Sequence, residues 1–184
     1  MKINAKINFP EVSRQLTRLG TQVYQQAAVR AMNNTVAKAK TAMSREIRSE
    51  FNLPASKVSQ ALRIKRASYS QGVARIEATL ESPARYGRAM NVIHFQATQT
   101  AEGVTVKIKK VGGRKLIRSA FIANKGRTVF QREGMARLPI KPVQTIDVPQ
   151  MFNTRRIKEV VLQMVRDEFP RQFEREARYY ASKA

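Results

Sequence analysis

Helical periodicity marks the N-terminal quarter of the chain. Apolar residues recur at spacings of three and four across residues 12–27, and a second stripe with a shifted phase runs through residues 29–47. This spacing is that of one face of an α-helix. We predict one long helix with Asn8 as its N-cap, a kink or break near Gly20, and an end near Phe51. The ordinary role of such a helix is to pack in the core.

Two further helices are predicted, one short and one long. Residues 54–63 begin with a proline, which suits the first turn of a helix. The last segment has Asn153 or Thr154 as an N-cap, followed by an apolar stripe over residues 157–165. Pro170 is expected to kink or end this helix, since its ring clashes with the carbonyl group four residues earlier.

The middle of the chain changes to a period of two. In residues 73–80 apolar and polar side chains alternate, as in a half-buried β-strand. Turn residues such as Ser82-Pro83 and Gly112-Gly113 separate the short runs from one another. The further predicted strands are residues 91–97, 104–110, 116–123, 128–132 and 140–147.

This order of elements predicts an α+β fold. It consists of a long N-terminal helix, a short second helix, a central antiparallel β-sheet or small barrel, and a C-terminal helix. The length of 184 residues favours a single domain, 1–184. Within it, we expect residues 9–63 to be helical, 64–148 to be β-rich and 150–183 to be helical.

The charge balance indicates a folded body with a basic surface. Lys and Arg number 35 against 13 Asp and Glu, a formal charge of +22, while 42% hydrophobic residues supply one sizeable core. Such a charge repels itself, so we expect a polyanion or an acidic protein as partner. No apolar run approaches the roughly 18 residues of a membrane span. We therefore expect a soluble protein with no membrane partner.

Basic residues concentrate in the β-rich region. No acidic residue occurs between Glu102 and Glu133, and a second acid-free run covers residues 54–76. Lys107 and Lys109 alternate with aliphatic residues, so they share one strand face. A lone run of this kind often serves solubility, but two such runs favour an anionic partner. The candidate contacts to DNA or an acidic partner are Lys65, Arg66, Lys107, Lys109, Lys110, Arg114, Lys115 and Arg118.

Catalysis finds little support in the sequence. The chain has no Cys and one His, which removes disulfides, thiolate sites and multi-histidine metal centres. Carboxylates in the β-rich region are scattered, and His94 between Ile93 and Phe95 is typical of a structural histidine. The Gly112-Gly113 pair lacks the residues of a phosphate-cradling loop. We expect no enzyme activity, no catalytic residues, no bound metal and no cofactor.

Several ordered segments resemble the Z-type minor tail proteins of lambda-like phages and prophages. Their order and spacing match that family along nearly the whole chain. The segments are residues 28–36, 62–66, 119–123, 129–132 and 137–140, together with Val148-Pro149.

The resemblance implies a structural virion protein that acts in tail completion and head-tail joining, at the head-proximal end of the tail. It implies an antiparallel sheet flanked by helices, assembled as a homo-oligomeric ring. The implied partners are the tail-tube or tail-terminator protein, the head connector and, through non-specific contacts, phage DNA. The implied location is the virion tail, with synthesis and assembly in the bacterial host cytoplasm. The alternative is a free, sequence-independent nucleic-acid-binding protein, for which the charge argument is the same.

Overall fold

The chain divides into two compact units in a computed structural model that describes residues 2–4, 21–70, 73–75, 77–83 and 89–183. Unit 1 comprises Met1–Met43, Leu62–Pro83 and Asn153–Ala184, and unit 2 comprises Ser44–Ala61 and Ala84–Phe152. The predicted N-cap at Asn8 and the break near Gly20 lie outside the described residues. The single-domain expectation stays a prediction.

Two long helices dominate unit 1. Helix α1, Thr21–Glu50, belongs to this unit as far as Met43, and the C-terminal helix, Arg155–Ala181, lies in it completely. The predicted stripe of α1 is largely confirmed. Its buried members in the whole helix are Met32, Val36, Ala39, Met43 and Ile47.

The C-terminal helix continues through Pro170, so the predicted end there is wrong, while the predicted kink stays a prediction. Phe169 and Gln172 are buried on either side of the proline, whereas Pro170 itself is exposed. The carbonyl that loses its amide partner belongs to Arg166, an exposed residue on the solvent side of the helix. Packing of the buried face therefore outweighs the local cost of the proline. Thr154 is the N-cap residue, as predicted, but its side chain makes no capping hydrogen bond.

A row of polar contacts joins the two long helices of unit 1. Arg30 Nε lies 3.1 Å from Glu176 Oε2, and Asn34 Nδ2 donates to Glu176 Oε1 at 3.1 Å. One turn further along, Lys38 pairs with Glu168. The residue numbers of these contacts increase along α1 while they decrease along the C-terminal helix, so the two helices run antiparallel. Acidic residues of the C-terminal helix thus have partners within this chain.

Short antiparallel strands complete unit 1. Strand β1 is Lys2–Asn4, β2 is Arg63–Lys65, β3 is Ser68–Ser70, β4 is Val73–Arg75 and β5 is Thr79–Glu81. One sheet has the order β1-β5-β2, and β3 pairs with β4. The predicted single strand 73–80 is wrong, because β4 and β5 belong to different sheets. All three residues of the central strand β5 are buried, as expected for a strand with neighbours on both sides.

Unit 2 contains the remaining strands and two short helices. The two short helices are α2, Ala55–Ala61, and α3, Val148–Phe152. The C-terminal helix of unit 1, Arg155–Ala181, is α4 in this numbering. The strands are β6 Met90–Asn91, β7 Thr98–Thr100, β8 Gly103–Val106, β9 Lys115–Arg118, β10 Ala120–Ala123, β11 Thr128–Arg132, β12 Ile140–Pro142 and β13 Gln144–Thr145. Among the described residues they form the antiparallel sheets β7-β8-β9 and β10-β11-β12 and the pair β13-β6.

The inner faces of the two three-stranded sheets share one apolar core. The five fully buried residues of this cluster are Val92, Val104, Val106, Ala120 and Val129, and Ile108, Ile117 and Ile122 pack against it. Alternate residues of each strand therefore turn outward. The predicted helix 54–63 is confirmed in the shorter form α2, with Val58 buried. The mixed α+β fold is confirmed.

The predicted strand 91–97 is wrong, because a 3₁₀ turn, Val92–His94, follows β6. The Asn91 side chain explains the turn. Its Oδ1 accepts from Ile93 N at 3.1 Å and from Val129 N at 2.9 Å, while its Nδ2 donates to Val129 O at 3.0 Å. One side chain thus caps the turn at Ile93 and also binds the backbone of β11 at Val129.

Three other predicted strands are shorter or divided. Segment 116–123 divides at Ser119, whose φ of 58° turns the chain from the β8–β9 sheet into the β10–β11 sheet. Segment 140–147 divides at Val143, which leaves β12 and β13 on different partners. Segment 104–110 is regular only as far as Val106. Strand 128–132 is confirmed as β11.

Candidate basic interface

The outward face of the sheet β7-β8-β9 carries threonine and arginine side chains. Strand register aligns Thr98 with Thr105 and Thr105 with Leu116 in one row. The next row aligns Thr100, Gly103 and Arg118. Because the alternate residues pack into the core, these rows face away from it. We call this surface the threonine–arginine face; it consists of Thr98, Thr100, Thr105, Arg114, Leu116 and Arg118.

Arg114 is held against this face by three hydrogen bonds. Its Nε donates to Thr105 Oγ1 at 3.3 Å, and its Nη2 donates to Thr98 Oγ1 at 2.8 Å and to the carbonyl oxygen of Gln96. A guanidinium group has five N–H donors, and both N–H groups of Nη1 have no hydrogen-bond partner among the residues that the structure describes. Arg114 is therefore a positioned cation, because the sheet fixes its side chain.

Arg118 and Lys115 are exposed on β9 and have no acidic partner among the described residues. Arg118 lies on the threonine–arginine face. Lys115 is in register with Val106, so it lies on the opposite face of β9. Leu116 is 38% exposed and lies between the positions of Arg114 and Arg118 on the same face.

The segment that carries Lys107, Lys109 and Lys110 is tied to the end of α1. Asn52 Nδ2 donates to the carbonyl oxygens of Lys107 and Lys109 at 3.0 and 3.1 Å, and Lys110 N donates to Glu50 O at 2.8 Å. The Lys109 ammonium lies 3.8 Å from Glu50 Oε1 and 5.9 Å from the Phe51 ring centroid. Lys109 is thus engaged within the chain, whereas Lys110 is exposed.

Lys65 and Arg66 belong to unit 1, unlike the other six predicted contacts. The Lys65 ammonium lies 3.1 Å from Glu81 Oε2, and its side chain is 59% exposed. Arg66 is exposed directly after β2. The structure therefore groups Arg114 and Arg118 on one face, ties Lys107, Lys109 and Lys110 to the end of α1, and separates Lys65 and Arg66 into the other unit.

Guanidinium groups beside hydroxyl groups suit the oxygen atoms of phosphates and carboxylates. Charge-assisted hydrogen bonds from arginine are among the stronger polar contacts in proteins. Contacts of this kind position a nucleic-acid backbone without distinguishing bases. The sequence analysis identified the basic residues but missed Thr98 and Thr105, which position Arg114. The alternating Thr-x-Thr pattern of residues 98–100 was the available signal.

No group of His, Cys, Asp and Glu that could hold a metal ion occurs within the described parts of the chain. Burial, and then the nearby charge of Lys57, lowers the pKa of His94 from its usual value of 6.5. A half-buried histidine that favours its neutral form fits the structural role predicted for it. Within the residues that the structure describes, no helix is both long and apolar enough to span a membrane.

Comparison with known protein families matches the chain to prophage minor tail protein Z (GPZ), over residues 10–182. The match covers unit 2 completely and nearly all of unit 1. No curated protein and no solved structure matches the chain.

Proposed function

The chain belongs to the prophage minor tail protein Z family, and we propose that it completes the phage tail at the head-proximal end, where the tail joins the DNA-filled head. It is a phage minor tail protein, a component of the virion tail. The observation that carries the proposal is the family match over residues 10–182. We propose a structural role without catalysis.

The proposed assembly is a ring of identical subunits around the tail axis. Its neighbours are the tail-tube or tail-terminator protein on one side and the head connector on the other. Subunits form the ring on the tail, in the host cytoplasm. Averaged electron micrographs of the head-proximal tail end, with and without the protein, test this arrangement through the appearance of a density with rotational symmetry.

A basic surface of the ring faces either DNA or an acidic protein. Three observations support this role for the threonine–arginine face. Arg114 is positioned by the sheet with donors to spare, Arg118 is exposed, and no acidic residue occurs from residue 103 to residue 132. A surface that served solubility alone would mix charges of both signs.

The most informative variant removes the two arginine charges of the threonine–arginine face. Arg114→Ser with Arg118→Ser is expected to lower the infectious titre when the variant is supplied to a phage that lacks the gene. Lys125→Ser with Arg127→Ser is the matched control, because it removes the same charge from the exposed turn between β10 and β11. Equal titres for wild type and the Arg114→Ser, Arg118→Ser variant would refute the role of this surface.

Salt dependence separates DNA from an acidic protein as the partner. Each phosphate contact contributes about −0.9 to the slope of log affinity against log salt concentration. If the threonine–arginine face contacts DNA, the Arg114→Ser, Arg118→Ser variant is expected to reduce the magnitude of that slope by about 1.8. An unchanged slope together with a reduced titre would indicate an acidic protein. Tight DNA binding by a protein that the tail does not need would support the free nucleic-acid-binding alternative instead.

A further inference from the structure

The outward face of the sheet β10-β11-β12 differs in chemistry from the threonine–arginine face. Its inner face packs into the core through Ala120, Ile122 and Val129. Register places Phe121 opposite Phe130 on the outward side, and Phe130 opposite Pro142. The two phenyl rings stack with centroids 6.2 Å apart. An aromatic pair of this kind usually lies beneath other protein, yet here it is only partly covered.

Apolar residues of the following loop extend this surface. Strand β11 pairs Arg132 with Ile140 of β12, and the loop between them spans residues 133–139. Leu138 in this loop is 65% exposed and Ile140 is 37% exposed. The side chain of Met135 is fully exposed. Large apolar side chains gathered at one place on a surface mark an interaction site, whereas scattered ones need no explanation.

Two arginines border the apolar residues. The Arg132 guanidinium lies 5.5 Å from the Phe121 ring centroid. Arg137 is exposed, and neither arginine has an acidic partner among the described residues. The nearby carboxylate of Glu133 is instead paired with Lys141 at 3.1 Å. The positive charge beside the apolar residues is therefore uncompensated.

These residues line an open pocket of about 590 Å³, formed by Phe121, Arg132, Arg137, Leu138 and Ile140. The loop that forms its wall is closed at its base, because Glu133 N donates to Pro139 O at 3.2 Å. A pocket with an apolar floor and two guanidinium groups suits an apolar side chain flanked by carboxylates. We propose that this surface, the Phe121–Arg137 pocket, docks an acidic segment of another protein that inserts an apolar side chain.

Charge and apolarity together favour an acidic protein over the other occupants. A second copy of this chain offers few free carboxylates to the two arginines, because most of its described glutamates are paired with Lys or Arg of their own chain. A nucleic acid would satisfy the arginines but would leave Leu138 and Ile140 without apolar contacts. Arginine and aromatic residues are enriched in protein interfaces, where they act as anchors.

The test measures binding of the purified full chain to three labelled probes by fluorescence anisotropy. The first is a peptide that alternates glutamate with leucine and phenylalanine. The second replaces its apolar residues by serine, and the third is a single-stranded thymidine oligonucleotide. We expect the acidic–apolar peptide to bind at least tenfold more tightly than the acidic–serine peptide.

Two variants and one control assign the binding to the pocket. Arg132→Ser with Arg137→Ser and, separately, Leu138→Ser with Ile140→Ser are each expected to weaken binding of the acidic–apolar peptide at least fivefold. Lys125→Ser with Arg127→Ser removes the same charge elsewhere in unit 2 and is expected to change it less than twofold. All six side chains are exposed, so thermal melts of the variants should stay within a few degrees of wild type.

Each other outcome overturns the proposal. If Lys125→Ser with Arg127→Ser weakens peptide binding as much as the pocket variants do, the binding is general electrostatic attraction. Equal binding of the acidic–serine peptide, or failure of the acidic–apolar peptide to bind, removes the apolar anchor. Displacement of the peptide by the oligonucleotide assigns the pocket to nucleic acid, and self-association abolished by Leu138→Ser assigns it to a second copy. The assay makes no use of the tail, so its failure leaves the proposed tail function standing.

Discussion

A glycine at the start of β8 is the position where one added methyl group should do most damage. Gly103 has a φ of 153°. This conformation is accessible essentially to glycine and costs another residue about 1–3 kcal/mol. An ideal Cβ at this position would overlap the carbonyl oxygen of Ile117 and lie 3.1 Å from Arg118 Cα. Both obstacles are backbone atoms of β9, so no side-chain rotation relieves the overlap.

Gly103→Ala must therefore open the end of the β8–β9 ladder as well as adopt a strained φ. Loss of the Gly103–Arg118 pair adds roughly 1 kcal/mol to the conformational cost. We expect a total near 3 kcal/mol, which corresponds to a fall in Tm of about 6–12 °C for a chain of this size. The same shift displaces Arg118 from the threonine–arginine face.

Two other glycines separate the causes. Gly112 has a φ of 105° but nothing within 4 Å of an added Cβ, so Gly112→Ala carries the conformational cost alone. With the same conformational cost of about 2 kcal/mol, its expected fall in Tm is about 4–8 °C. Gly134 has neither a positive φ nor a close neighbour, and Gly134→Ala should leave Tm within about 2 °C.

Differential scanning calorimetry of the three variants measures the series. The expected order of destabilisation is Gly103→Ala, then Gly112→Ala, then Gly134→Ala. A Gly103→Ala variant no less stable than Gly112→Ala would refute the close approach of β8 and β9 on which the site geometry depends.

Three further substitutions test separate parts of the fold. Glu176→Ala removes a buried carboxylate with three partners and should lower Tm by roughly 4–8 °C in a thermal melt, more than Ala at the exposed Glu174. Asn91→Ala leaves two partly buried N–H groups, of Ile93 and Val129, without their acceptor, while Val129 O keeps its bond from Val143 N; urea unfolding should detect a loss of about 2–3 kcal/mol, and a change below half a kilocalorie would contradict the role of this side chain. The lowered pKa of His94, caused by burial and then by Lys57, means that the unfolded chain takes up its proton first as pH falls below 6.5. The unfolding free energy should therefore decrease as the pH falls from 6.5 to the pKa of His94 in the folded protein. His94→Gln should make this decrease smaller in thermal melts at a series of pH values. A variant with the same pH profile as wild type would contradict this role of His94.

Periodicity predicted the elements whose packing repeats along the chain. The buried stripe of α1 was predicted because one face of this helix meets the core. The helix does not end at Pro170, because the proline and the carbonyl of Arg166 that it leaves unpaired belong to exposed residues, while Phe169 on the other side is buried in the core. The strand over residues 91–97 failed because the Asn91 side chain bonds to a residue 38 positions away, which no local pattern reveals.

The candidate site was predictable in composition and not in arrangement. The acid-free run identified its cations, since charge is a property of the residues themselves. Their grouping depends on the turn at Ser119, which sends β9 and β10 into different sheets, and on hydroxyl groups that hold Arg114. The Phe121–Arg137 pocket was missed for the same reason, because its apolar and basic members come together only through the β10–β11–β12 register.

The most direct test of the proposed function is electron microscopy of lysates from the phage or prophage without this gene, with and without the protein supplied in trans. The proposed role in tail completion predicts that full heads and tails of normal length accumulate unjoined, or joined but non-infectious, and that the supplied protein restores infection. Normal, infectious particles in its absence would contradict that role.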